Sequence, residues 1–265
     1  METVNQPKYP SPINFVSKNR AVSRPGLYLI LPPENRCLSF NPTLVGCDEE
    51  VFITPKYGAG YTISKVIMGA SGKSEEAYDN EFEHFYFVLN GSIRIQLDNI
   101  KREVTKGEYV WIPPSISYKI ESSNNSASEF LWFRRKYQNI KIEDIPKPIF
   151  GDEKAVKAIP EVDLNPEKQL LPYTNPGFDM AFNMILVQPG AYYGLVEAHA
   201  WEHAMYILEG EGILYLNGDY HHVKEGDFIY IAPFCPEWFV AIGMEITQVR
   251  FLLYWDCNRD YAKSK

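Results

Sequence analysis

Val88-Leu89-Asn90-Gly91-Ser92-Ile93 returns 119 residues later as Ile207-Leu208-Glu209-Gly210-Glu211-Gly212. The same offset lays Gly107-Glu108-Tyr109-Val110-Trp111-Ile112-Pro113-Pro114 on Gly226-Asp227-Phe228-Ile229-Tyr230-Ile231-Ala232-Pro233, and Asp98-Asn99 on Asn217-Gly218. Three blocks in one register define an internal repeat, which fixes the architecture before any single element is assigned. Within each copy, short alternating apolar runs are separated by turn residues, the pattern of antiparallel strands, and long amphipathic helices are hard to find. Ile213-Leu214-Tyr215-Leu216, Asn217-Gly218 and Tyr220 to Val223 read as a hairpin, because Asn-Gly accepts positive φ at both central positions of a type I′ turn. The expected fold is all-β, with two tandem barrels. The stretch from Ile140 to Asn175, rich in Pro, Lys, Glu and Asp, suits a linker with one short helix. The division is drawn at Ile149: residues 1–149 for an N-terminal barrel with its arm, residues 150–265 for the linker and C-terminal barrel.

A chain of 265 residues has room for two such domains. Hydrophobic residues at 45% and charged residues at 23% give each half a core and exclude a disordered chain. The net charge of −8 argues against a nucleic-acid partner, and the one local basic cluster, Arg134-Arg135-Lys136, is too short to reverse that. Met1 to Arg24 is polar and proline-punctuated, without the apolar core of a secretory signal, and no stretch reaches the roughly 18 apolar residues of a membrane helix. Cys37, Cys47, Cys235 and Cys257 lie far apart with no CxxC spacing, which indicates neither a zinc ribbon nor a disulfide scaffold. The expectation is a cytoplasmic protein that handles a small molecule, without nucleic-acid or membrane partners; a homo-oligomer is compatible with it.

The chemistry concentrates in the second copy. In Gly194-Leu195-Val196-Glu197-Ala198-His199-Ala200-Trp201-Glu202-His203, a strand would point Glu197 and His199 to one face, since side chains two apart share it. His203 follows shortly, and Glu237 arrives after Pro233-Phe234-Cys235-Pro236. Taken singly, Glu197 and His199 read as edge residues and His203 as a packed core histidine. Together, carboxylates and imidazoles converging inside a small barrel are an ordinary ligand set for Mn, Fe, Ni or Zn. The same offset carries these positions back to Tyr78, Asn80, His84 and Tyr118. Only His84 among them is a good ligand, so one divalent metal per chain is expected, in the second barrel alone. Glu83 does not help His84, because adjacent strand residues face opposite ways.

These residues resemble the two motifs of the cupin family. Glu197, His199, His203 and Gly210 fill the first, with Glu in place of its first histidine and His in place of its carboxylate; Gly226, Pro233 and Glu237 fill the second. The resemblance implies two cupin barrels of the jelly-roll type, a bicupin. The order Glu-x-His-x3-His, with Asn19-Arg20-Ala21-Val22, Thr54-Pro55-Lys56-Tyr57-Gly58-Ala59, Gly177-Phe178-Asp179-Met180 and Asp256-Cys257-Asn258-Arg259-Asp260, is similar to the (S)-ureidoglycine aminohydrolases of allantoin degradation. That likeness implies Mn²⁺, with Fe²⁺, Ni²⁺ or Zn²⁺ as alternatives, and release of ammonia from a small ureido amino acid. It also exposes departures. The family has Gln where Glu237 stands, Lys where Trp255 stands, and Tyr at Phe251 and Leu214. The substrate pocket expected here is therefore lined by Leu214, Phe251, Trp255 and Trp201, with Tyr254 as a replacement for the lost hydroxyl. Glu237 stands as either fourth ligand or base, and no residue is singled out as catalytic. Two other readings remain open: a metal-dependent dioxygenase or isomerase on a more apolar substrate, and a non-catalytic ligand-binding bicupin.

Overall fold

Four pairs of positions with positive φ recur at the repeat spacing: Gly91 and Gly210 (72° and 82°), Asp98 and Asn217 (46° and 47°), Gly107 and Gly226 (85° and 86°), and Ser115 and Phe234 (67° and 62°). The computed structural model, which describes residues 19–123, 126–138, 145–159, 165–172, 174–175, 177–243 and 248–256, thus carries the repeat in its backbone. Asn217-Gly218 closes a two-residue hairpin between Glu211–Leu216 and Asp219–Lys224, with Leu216 opposite Asp219. Both turn residues have positive φ, 47° and 101°, as a type I′ turn demands.

Every strand pairing among the described residues is antiparallel. In the second half, a three-stranded sheet (Asp219–Lys224, Glu211–Leu216, Glu237–Ile242) faces a seven-stranded one in which His203–Glu209, Val249–Asp256 and Met180–Val187 lie side by side. The first half forms a single eleven-stranded sheet that curls around its own core, in which Val66, Tyr86, Ile95, Val110 and Phe130 are buried. The architecture is all-β and of the jelly-roll type.

Strand pairing crosses residue 149 in both directions. Tyr28–Leu31, which precedes the first barrel, pairs with Phe228–Ile231 of the second. Ile149–Asp152, which precedes the second barrel, pairs with Glu108–Ile112 of the first. Each exchanged strand covers an edge that would otherwise present unpaired N–H and C=O groups. The expected linker helix is not seen among the described residues of 140–175, where the regular elements are the strands Ile149–Asp152 and Glu167–Leu171.

A third core lies between the barrels and draws on both. Phe85 stacks on Phe182 with ring centroids 3.7 Å apart, and Tyr61 meets Tyr254 edge-on at 4.7 Å. Arg135 donates to the Tyr254 hydroxyl at 2.7 Å; the two residues occupy equivalent positions in the repeat. Each fully buried aromatic ring stabilises by roughly 1.5–3 kcal/mol, so an interface built of them holds the barrels as one body.

Candidate metal centre

His203 opens the strand His203–Glu209, and its position is set from several sides. The preceding residue, Glu202, is fully buried; its carboxylate accepts both hydrogen bonds from the Gly60 N–H at 3.0 and 2.9 Å, and its own N–H donates to Asp256 at 2.9 Å. The Tyr61 hydroxyl donates to the His203 carbonyl at 2.9 Å. The first barrel therefore holds the backbone on which the second barrel's histidine is mounted. The His203 ring lies 3.2 Å from the Tyr254 carbonyl through Nδ1. A carbonyl accepts only, so Nδ1 carries the proton and the Nε2 lone pair of the neutral ring faces the cavity.

His199 Nε2 and Glu237 Oε1 complete a small triangle with His203 Nε2, with sides of 3.1, 3.0 and 3.2 Å. The centre of such a triangle is roughly 1.8 Å from each corner, so all three atoms would come within reach of a divalent ion that bonds at about 2.1 Å. Two imidazoles and a carboxylate with these spacings fit a divalent cation. Among the described residues, this is the one group of three or more such side chains close enough to share an ion. Burial opposes charge on Glu237, but the two histidines outweigh it and hold the carboxyl down at about 2. For His203, burial works against protonation, and the charge and hydrogen bond of Glu237 reverse this, so its pKa is raised.

Glu197 and His199 do not lie on a regular strand, contrary to the sequence expectation. Between Tyr192 and His203 the chain pairs with Glu237–Ile242 not as a continuous strand but through isolated bridges, Tyr192 with Val240 and Glu197 with Glu237. The latter is a reciprocal pair of N–H···O bonds, 2.9 and 2.8 Å, which sets Glu197 directly opposite Glu237. The Glu197 side chain is exposed at the cavity mouth and stands outside the His199, His203, Glu237 group. Phe234 stabilises this loop: its N–H donates to the His199 carbonyl at 2.7 Å while its own backbone holds a φ of 62°, a conformation bulky residues rarely adopt.

The triangle opens into a cavity of about 360 Å³. Leu214, Phe251, Trp255 and Trp201 line it, and Trp201 packs against Trp255 at 5.0 Å. Tyr254, expected in the pocket, does not line it and is instead buried in the core between the barrels. Along Val249–Asp256, Phe251, Leu253 and Trp255 face the cavity, whereas Leu252 and Tyr254 face the core between the barrels. Strand alternation makes a one-residue shift a change of face, so the Tyr254 hydroxyl serves Arg135 rather than a substrate. Two polar residues that the sequence did not single out, Glu167 and Asn183, also line the cavity. Their signal was Asn183 within the apolar strand Met180–Val187, flanked by Phe182 and Met184.

A cupin domain family model matches residues 183–253, the stretch that carries the triangle and most of the cavity. This part of the chain is a cupin domain. Beyond the cupin domain, the (S)-ureidoglycine aminohydrolase of Escherichia coli (strain K12) is 26% identical over 246 residues, spanning 91% of this chain and 93% of that protein. A probable (S)-ureidoglycine aminohydrolase from Oryza sativa subsp. japonica is 29% identical over 236 residues, 88% of this chain and 74% of that protein. The crystal structure of a putative glyoxylate-induced protein from Pseudomonas aeruginosa, 25% identical, superposes with a TM-score of 0.82 over 91% of this chain and 92% of that one. The likeness covers both barrels, so this cupin has homologues named (S)-ureidoglycine aminohydrolase along nearly its whole length.

Proposed function

We propose that the protein is a metal-dependent aminohydrolase that releases ammonia from a small ureido amino acid, as its homologues are named to do. The observation that carries this reading is the triangle of His199, His203 and Glu237 in the wall of the cavity. Glu197 is the fourth ligand in this proposal, because directly opposed residues of an antiparallel pair project to the same side. A divalent cation held there, Mn²⁺ by the family resemblance, would supply charge stabilisation and orient the substrate's carboxylate and amine. The chain's own residues do the rest. The Tyr254 carbonyl fixes the His203 tautomer, the first barrel fixes its backbone, and Trp201 packed on Trp255 gives the cavity an apolar wall. Free Cys37, Cys47 and Cys235, with no helix among the described residues long and apolar enough to cross a membrane, support a reducing, cytoplasmic setting.

The apolar wall of Leu214, Phe251 and Trp255 shifts the substrate range. Loss of one well-placed proton-transfer or hydrogen-bonding group costs about 10²–10⁴-fold in rate, so ureidoglycine itself is expected to be a weak substrate. The test is ammonia release from (S)-ureidoglycine by the metal-loaded protein. Slow release that disappears with a chelator, and rises in the Phe251→Tyr, Trp255→Lys double variant, supports the proposal. Failure of the metal-loaded protein and of the double variant to release any ammonia would overturn it. The same aromatic wall favours a second reading, a metal-dependent dioxygenase or isomerase on a more apolar substrate, and that outcome would turn attention to it.

A further inference from the structure

A carboxylate and a carboxamide are buried in the cavity wall, the carboxamide one strand and the carboxylate two strands across from the strand of Phe251. Glu167 lies on the edge strand Glu167–Leu171, and Asn183 and Ile185 on the next strand, Met180–Val187. Asn183 is opposite Gln169 on one side and Leu253 on the other, while Ile185 is opposite Glu167 and Phe251. Glu167 is 6% exposed and Asn183 3%.

Their bonds are specific in direction. Glu167 accepts from Asn183 Nδ2 at 3.0 Å through one oxygen and from Gln169 Nε2 at 2.9 Å through the other. A carboxylate in this position only accepts, so it orients the carboxamide with its nitrogen toward Glu167. Asn183 Oδ1 is thereby left buried with no hydrogen-bond partner. Glu167 receives two neutral donors and forms no ion pair with any described Lys, Arg or His. A buried carboxylate and an orphaned carbonyl both carry a desolvation cost that further N–H donors would offset. Nothing else in the cavity wall explains why an otherwise apolar strand pair holds them.

We propose that Glu167 and Asn183 form an acceptor-only recognition subsite for the planar N–C–N group of the substrate, a ureido or guanidino end that presents several N–H bonds. This rests on the aminohydrolase reading for the other end of the substrate, the carboxylate and amine directed to His199, His203 and Glu237. The subsite repels a carboxylate and so sets which way round a bifunctional substrate enters. It also restores polarity that Leu214, Phe251 and Trp255 remove elsewhere in the cavity.

The experiment is calorimetric binding to the metal-loaded protein of three unreactive probes: N-carbamoylglycine, guanidinoacetate, and N-acetylglycine, whose methyl replaces the terminal amino group. N-carbamoylglycine or guanidinoacetate should bind about 10–100-fold more tightly than N-acetylglycine, the range for hydrogen bonds to a charged group. The tighter of the two names the group. Glu167→Gln should bring that preference close to parity with metal content unchanged, and Asn183→Leu provides the same reading should Glu167→Gln not fold. Equal binding of all three probes by the wild-type protein overturns the subsite, as does a preference that survives both variants. The aminohydrolase proposal fails separately, on ammonia release. A protein that prefers the carbamoyl probe yet releases no ammonia retains the subsite and loses the activity; one that releases ammonia without the preference does the reverse.

Discussion

The two barrels share their turns residue for residue at a spacing of 119, yet the histidine common to both has opposite surroundings. In the second barrel, His203 Nε2 lies 3.1 Å from His199 Nε2 and 3.2 Å from the Glu237 carboxylate. In the first, His84 Nδ1 accepts from the Trp132 indole at 3.2 Å, and Nε2 lies 3.4 Å from the Tyr118 hydroxyl, at the position equivalent to Glu237. The Arg134 guanidinium sits 3.8 Å over the Trp132 ring and lines the same cavity of about 420 Å³. Burial and then the charge of Arg134 push His84 down to about 3, whereas Glu237 raises His203. The fold supplies converging positions in both barrels. Whether they suit a cation is decided by what stands opposite the histidine, a carboxylate in one case, a phenol, an indole and a guanidinium in the other.

The contrast is sharpest in metal content. The metal-loaded protein is expected to carry about one divalent ion per chain by elemental analysis, falling to none in His203→Ala and unchanged in His84→Ala. Two ions per chain, or retention after His203→Ala, would break the asymmetry.

A smaller effect separates the barrels in acid. The unfolded chain protonates its histidine near the ordinary value of about 6.5, while folded His84 resists until about 3. Between those values the unfolded state binds more protons, so stability is intact above pH 6.5 and is lost as pH falls toward 3. The loss from this one group is at most on the order of 5 kcal/mol. Denaturant titrations across that window should show a flatter acid limb for His84→Gln than for the parent; parallel limbs would show that the first cavity is wet enough to charge its histidine.

The smallest effect tests the union of the two. Arg20 spans Asp227 at 2.8 and 2.9 Å and Glu34 at 2.8 Å, tying the N-terminal arm to the second barrel. Arg20→Ala leaves the buried Asp227 carboxylate short of a partner and should cost about 1–3 kcal/mol. Calorimetry should record a single transition for the parent and a single, lower one for Arg20→Ala. Two resolved transitions in the parent would mean that the barrels unfold separately.

The repeat was legible because its turns are chemical requirements: Asn217-Gly218, Gly107, Gly226, Gly91 and Gly210 all mark positive φ. The meeting of His199, His203 and Glu237 was legible because their spacing brings them together whether or not His199 sits on a strand. Two features escaped. Tyr254 was misplaced since a register error of one residue inverts a strand's faces. Glu167 and Asn183 were missed since their meeting depends on which strands become neighbours, and the relevant edge strand lies within the stretch that sequence assigned to a linker. The reciprocal exchange of strands was hidden for a similar reason, as four-residue arms such as Tyr28–Leu31 are apolar enough to pair with either barrel.

That exchange has the topology of a swapped homodimer. If a single-barrel chain placed the strand ahead of its barrel on a second copy, two copies would close around a twofold axis with each edge covered by the other. Here the two copies are joined in one polypeptide, and Arg135 against Tyr254 marks where that axis would pass. Covalent linkage replaces an association that dilution could undo by one at a fixed, high effective concentration. It also frees the copies from identity, so one cavity can lose its ligands while the other keeps them, without a mixed population of subunits.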